Sequence, residues 1–431
     1  MRNVAVAVVL GIVLLAAPAW SKDDPWAKDL DFLLDQLGKD AATLLRQKGV
    51  DWTAVGRDFH ASLKSVRSDA EFVKLSARLV ARLRDGHATL TNPKVQPPDE
   101  SKGRKWGAPG VFLLVSGSRV FVRNAWGPAA EKGLAAGLEV TKIDGQPARK
   151  WLDDEVAKMR DTTGFSTDHQ ALYAACHWGL GDYEGTTISF DVLNDKATKT
   201  ITVQRSADVS SVPAGPAFPP KGLKVIGRQS YGRTAKGFGY IHLRDAPDEL
   251  PEQLDTMLDA IGDVPGLVLD CRANGGGGCD HAKVFARFLA TGEKWTGDEG
   301  AKYVGEGKRP FTGPMVVIVD AGVRSTGETV SGTFKEDGRA YMIGDTPTAG
   351  MSSQKKDITV PSGLFGVHFA VRSNKQRFNG GKGIEGIGVP PHEFVQYDPA
   401  DLAEGVDTEI RRAEELLTKG FPGGKVLYKS R

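Results

Sequence analysis

The chain has 431 residues, a net charge of +2, 40% hydrophobic and 26% charged residues. That length allows two or three domains with proper cores, and the balanced charge leaves no electrostatic footprint for nucleic acid or an anionic membrane. Cys176, Cys271 and Cys279 are too few for a disulfide scaffold and fit no zinc spacing.

Residues 1–21 read as a signal peptide: Arg2 is the only charge before Lys22, Val4 to Ala17 is apolar, and small residues follow. An uncleaved membrane anchor is the alternative. The expected location is periplasmic or secreted. An oxidising compartment would permit a bridge between Cys271 and Cys279.

Residues 25–98 read as a helical bundle. Leu30, Leu33, Leu34 and Leu37 lie at i, i+3, i+4, i+7, and Ser68 with Glu71 forms a capping box before the stripe Phe72, Leu75, Leu79 and Leu83. That helix stops at Arg84-Asp85-Gly86-His87, where a histidine is ordinarily a surface or capping residue.

Residues 105–206 have the pattern of a β-rich module. Two strands flank Ser116-Gly117-Ser118, a short helix covers Ala129–Lys132, and an apolar strand ends at Asp144-Gly145. Residues 149–185 hold further helix, and Thr187–Val192 with Lys199–Val203 close the unit. Gly127-Pro128-Ala129-Ala130, Gly133-Leu134, Gly137 and Ile143-Asp144-Gly145 resemble a PDZ domain, a fold that captures extended chain ends on a sheet edge.

After a proline-rich linker at 207–221, residues 222–420 alternate strand and helix, the grammar of an α/β domain. The loop Arg272-Ala273-Asn274-Gly275-Gly276-Gly277-Gly278 has backbone N–H groups unshielded by side chains and so suits one wall of an oxyanion hole. It lacks the GxGxxG spacing and the Lys-Ser/Thr of nucleotide loops, so no cofactor is expected. The apolar run Met315–Val319, the break Asp320-Ala321-Gly322 and the helical spacing after Thr326 predict strand, tight turn and helix, with Ser325 at the helix start. A hydroxyl there sits near the positive end of the helix dipole. Ser325 with Glu328 is equally a capping box. Ser331 is a competing nucleophile, but farther along the helix. Glu385 lies in an apolar, glycine-rich stretch.

Together these pieces resemble the C-terminal processing and tricorn-type serine peptidases, a family whose catalytic core is ClpP/crotonase-like. The motifs are Asp85-Gly86-His87, the PDZ-like residues, Asp270 to Gly277, Ser325-Thr326-Gly327-Glu328 and Glu385 to Pro390. The resemblance implies a multidomain α/β protein with an N-terminal bundle and a PDZ domain. One branch of the family uses a Ser-Lys dyad. Here Gly350 occupies that lysine's place, with Lys355 and Lys356 too far on and expected on the next strand. The tricorn-like branch uses serine, histidine and glutamate, matched by Ser325, His87 and Glu385, with Gly86 where tricorn has a second, assisting serine.

The resemblance implies Ser325 as nucleophile, His87 as base and Glu385 as its orienting acid, with no metal. The oxyanion donors would be Thr326 and either Gly275 or Gly276. The expected activity is an exported endopeptidase acting on unfolded or C-terminally exposed polypeptides through an acyl-serine. The alternative is a silent binding protein on the same core, an apolar-ligand carrier or a PDZ adaptor. A pH–rate rise near the ordinary imidazole pKa is expected, and deletion of 105–206 is the test that would tell a substrate-selecting module from an adaptor.

Overall fold

The computed structural model describes residues 24–96, 103–194, 197–209, 215–297, 300–374 and 378–422. The proposed leader lies outside them. No described helix is long and apolar enough to cross a membrane.

Four helices open the chain: Pro25–Asp40, Ala42–Gln47, Trp52–Leu63 and Asp69–Ala81. Asp24 caps the first by accepting the Trp26 N–H, Pro25 suits the first helical turn, and Leu30, Leu33 and Leu37 form its buried stripe. Ser68 caps the fourth as its sequence predicts. These helices do not close on themselves. Their core is completed by Val360, Leu364, Phe365, Val367 and Phe369, from a hairpin more than 250 residues later in sequence. That hairpin, Ser353–Thr359 with Gly366–Ser373, takes Thr89–Thr91 as a third antiparallel strand. The segment carrying His87 is thereby stitched to the later part of the chain.

The β-rich module has the predicted hairpin, Val111–Ser116 with Arg119–Ala125, followed by Glu139–Ile143, Thr187–Asn194 and Ala197–Gln204 in one sheet. Helices Ala148–Met159 and Asp168–Ala175 bury Leu152 and Ala175 against Ile143, Ile188 and Phe190. The module is docked, not tethered. Leu114 and Phe121 share a cluster with Ala217, Tyr397 and Leu402, and the Arg123 guanidinium donates to the Gly215 carbonyl.

The remaining layer is a seven-stranded sheet in the order Lys224–Ile226, Gln229–Arg233, Gly239–His242, Leu267–Asp270, Met315–Val319, Tyr341–Gly344, Glu393–Phe394. It is parallel from Gly239–His242 onward. Helices cover both faces, which explains the unbroken apolar runs. Met315, Val317 and Val319 meet Leu250–Ile261 and Thr326–Glu336 on one side. Val316 and Ile318 meet Ile410, Ala413 and Leu416 of Thr408–Lys419 on the other. Arg272 locks that last helix to the glycine loop: its buried guanidinium bonds Asp270, Asp407, Glu409 and the Tyr397 hydroxyl. All three cysteines are free and buried, so the Cys271–Cys279 bridge is not formed.

Candidate active site

Parallel strands end together at one edge of the sheet, and the loops that leave them meet there. Leu267–Asp270 runs into the glycine loop and Met315–Val319 into the turn at Ser325. Asp320 joins the two by accepting the Ala273 and Gly322 N–H groups, and the Arg324 N–H donates to the Asn274 carbonyl at 3.0 Å. Ser325 then has φ 57° and ψ −127°. A non-glycine residue in positive φ is held against local preference, here by neighbours on both sides.

Those neighbours begin with Glu328. Its carboxylate is fully buried and accepts four bonds: Ser325 N–H, Met351 N–H, Gly350 N–H and the Thr348 hydroxyl. The capping-box reading is therefore right, but it undersells the residue, which ties the nucleophile turn to the 348–351 loop. Burial pushes the Glu328 carboxyl up to about 8 against the pull of its donors. Ser331 is out of reach of any such role, since its buried hydroxyl donates back to the Gly327 carbonyl at 2.7 Å.

Thr326 occupies the first helical position, where an N–H has no acceptor within its own helix. The glycine loop is less free than its sequence suggests. Gly275 N–H donates to the Arg244 carbonyl and Gly276 N–H to the Asn274 side chain. As the chain is folded, both glycine donors expected from the sequence are already engaged. The Gly276 backbone instead provides closeness: at φ +85°, a Cβ there would lie 2.8 Å from Ser325 Cβ and 3.2 Å from Thr326 N.

His87 stands between the fourth helix and strand Thr89–Thr91. Asp85 holds the turn with both oxygens, accepting the His87 N–H at 2.9 Å and the Ala370 N–H of the hairpin at 2.7 Å. Gly86 leaves no room for a side chain, since a Cβ would meet Met351 Sδ at 2.7 Å. Met351 in turn accepts the Ser325 N–H through its carbonyl at 3.0 Å. The histidine turn and the serine turn are thus one residue apart, with Met351 between them. Burial, then the Lys355 charge, lowers the imidazole to about 4, with Asp85 opposing. The ring is neutral at neutral pH, but its pKa lies well below the ordinary value expected from sequence.

Glu385 is fully buried. Oε1 accepts from Lys48 Nζ at 2.7 Å and from Ser166 Oγ at 2.8 Å, while Oε2 has no partner. His87 Nδ1 is likewise buried without a partner. One atom each of Asp85, His87 and Glu385 lies within 4.8 Å of the others. The group is poorly suited to a cation, because the Asp85 oxygens already accept backbone N–H groups and an ammonium sits on Glu385. Burial pushes the Glu385 carboxyl up to about 7 and Lys48 pulls it back down. A Cβ on Gly386 would meet Lys48 Cε at 2.8 Å, so the Glu-Gly pair is what admits the lysine.

Ser166 also accepts the Gly86 N–H at 3.0 Å, so a hydroxyl from the β-rich module bridges the histidine turn and Glu385. Its neighbour Thr167 donates to Ala349 O, and the His169 ring meets Thr348 O. Removing 105–206 would therefore also remove site contacts, so that deletion does not separate a substrate-selecting module from an adaptor. Gly350 has φ +74°, and a Cβ there would meet Thr167 Cγ2 at 2.6 Å, so the dyad's lysine position is sterically closed. Lys355 and Lys356 lie on strand Ser353–Thr359, as expected, and Lys356 pairs with Asp40.

Lys48 and Ser166 are not legible in sequence. Each is an ordinary surface-type residue in a loop or helix end, 337 and 219 positions from Glu385. Asp85 was within the motif, though its two-way role was not.

Comparisons with known proteins place part of the chain among peptidases. Residues 237–395 match the model of peptidase family S41. A tricorn protease homolog of Streptomyces coelicolor is 25% identical over 393 residues, 87% of this chain and 31% of its own length. A chloroplastic C-terminal processing peptidase of Tetradesmus obliquus is 26% identical over 92% of this chain and 80% of its own. A carboxy-terminal-processing protease of Bartonella bacilliformis is 24% identical over 73% and 67%. The chain thus spans about a third of the tricorn homolog and two thirds or more of the two processing enzymes. The crystal structure of mature CPAF superposes with TM-score 0.66 and 13% identity, covering 94% of this chain and 99% of that one, a likeness of fold. The part of the chain that matches peptidase family S41 is thus the α/β core that holds Ser325 and Glu385.

Proposed function

We propose that the chain is a serine endopeptidase that hydrolyses unfolded or C-terminally exposed polypeptides through an acyl-Ser325 intermediate. The observation that carries this reading is the pair of unpartnered buried atoms, His87 Nδ1 and Glu385 Oε2, in one cluster beside a strained serine turn. Catalytic hydrogen bonds are often long before substrate binds. With Nδ1–H directed at Glu385, the imidazole has Nε2 free to take the serine proton. Ser325 Oγ attacks the scissile carbonyl as its proton passes to His87, and the oxyanion takes the Thr326 N–H. His87 then protonates the leaving amine. Water, deprotonated by the same histidine, hydrolyses the ester and returns the hydroxyl. The Gly275 and Gly276 N–H groups join the oxyanion hole only by exchanging their present acceptors.

The β-rich module is read as PDZ-like, and its strand order and helices support that reading. The edge strand Val111–Ser116 faces helix Asp168–Ala175, although Leu113 N–H already donates to the Cys176 carbonyl. Captured chain ends are better accommodated by the larger cleft between module and core. The sequence leader makes the protein exported, to the periplasm or medium, which fractionation tests.

Denatured casein, incubated with wild type and with Ser325→Ala, tests the activity. A fluorophosphonate adduct on Ser325 with cleavage lost in the variant supports it. Absence of an adduct, together with saturable binding of an apolar ligand, establishes a carrier instead.

A further inference from the structure

A cleft of about 980 Å³ separates the β-rich module from the core and reaches the serine turn through Gly275, Gly322 and Arg324. Most charges on its walls are matched by neighbours. Lys158 pairs with Glu155, Asp161 takes Arg78 and Arg82, and Arg228 faces Asp245 at 3.6 Å. Arg244 and Arg324 are different. Neither guanidinium has a carboxylate partner among the described residues, and Arg244 Nε is buried with no acceptor at all.

Their placement is specific. Arg324 directly precedes Ser325. The Arg244 carbonyl accepts the Gly275 N–H, and an Arg324 guanidinium nitrogen lies 4.0 Å from where a Cβ on Gly275 would be. Both residues therefore line the cleft next to the glycine loop and the serine turn. Trp106 and Trp178 also line the cleft and are exposed. An arginine in a partly desolvated wall is costly without a partner, and its planar fork matches a carboxylate.

We propose that Arg244 and Arg324 form a carboxylate-binding subsite that selects substrates bearing a negative charge within a residue or two of the scissile bond. This rests on the peptidase reading above. The same chemistry has two sources, an Asp or Glu side chain and a free chain terminus. The subsite deepens the expected activity by stating what the polypeptide presents to Ser325, and the Trp106–Trp178 side would accept bulky apolar residues farther along.

The test uses two matched peptide pairs, Glu against Gln near the cleavage point and free against amidated C-terminus. Wild-type kcat/KM should favour the carboxylate of one pair by about tenfold to a hundredfold, the worth of a charged hydrogen-bonded contact. The preferred pair identifies the source. Arg244→Gln and Arg324→Gln should each erode that ratio, and the double variant should abolish it, chiefly through KM. Equal kcat/KM within both pairs, or a ratio kept by the double variant, overturns the proposal. Binding of the same peptides to Ser325→Ala protein, read by tryptophan fluorescence, keeps the subsite testable without turnover. Discrimination there with no hydrolysis by wild type sinks the peptidase reading and keeps the subsite; hydrolysis without discrimination does the reverse.

Discussion

Lys48 Nζ lies 2.7 Å from Glu385 Oε1 in an ion pair buried from both sides, joining the second helix of the chain to a loop 337 residues away. The ammonium also donates to the Arg84 carbonyl at 2.6 Å, three residues before His87. One side chain thus fixes the carboxylate and the turn that carries the imidazole.

Removing the ammonium should do two things. Breaking a buried pair leaves an uncompensated charge and costs about 3–5 kcal/mol, so Lys48→Met should lower the denaturation midpoint. Burial, no longer opposed, would push the Glu385 carboxyl above its present value of about 7. Residual activity of the variant should then be lost around neutral pH and partly return as pH rises. A variant with reduced stability but an unshifted pH profile would make Lys48 merely structural.

Gly276→Ala probes the contact between the glycine loop and the nucleophile. The new Cβ would fall 2.8 Å from Ser325 Cβ at a φ that L residues rarely adopt. Labelling of Ser325 by a fluorophosphonate should fall by about a hundredfold or more, the order lost with an oxyanion contact. Ala at Gly292, where nothing lies within 4 Å, is the control for backbone strain alone.

His87→Ala should reduce kcat by about 10³-fold or more. Lys355→Ala and Lys356→Ala should each change it less than about tenfold. Gly350→Lys should fail to create a dyad because Thr167 and the Gly388 backbone fill the space. Full activity in His87→Ala with loss in Lys355→Ala would restore the lysine mechanism.

The pH dependence carries its own sign. A histidine lowered to about 4 is deprotonated throughout the mildly acid range, so its own limb of kcat/KM should lie below about pH 6, on the acid side of the Glu385 limb near 7. Lys355 repels the imidazolium, so Lys355→Gln stabilises the protonated ring and should move that limb to higher pH. A shift in the opposite direction, measured on kcat/KM profiles, would remove Lys355 from the imidazole's surroundings.

Local pattern determined the elements and the identities of the groups. The apolar run at Met315–Val319, the break at Asp320 and the spacing after Thr326 describe strand, turn and helix because each depends on near neighbours. Gly350 in place of a lysine is likewise a fact of sequence. Tertiary structure alone decided that Lys48, Ser166, Asp85 and Glu385 converge, since an ion pair between positions 48 and 385 has no local signature. It also decided that the Gly275 and Gly276 N–H groups are engaged and that Ser166 Oγ stands beside the crowded Gly86. Those outcomes depend on which long-range acceptors are within reach once the hairpin at 353–373 docks on the helices, and burial then sets the pKa of His87.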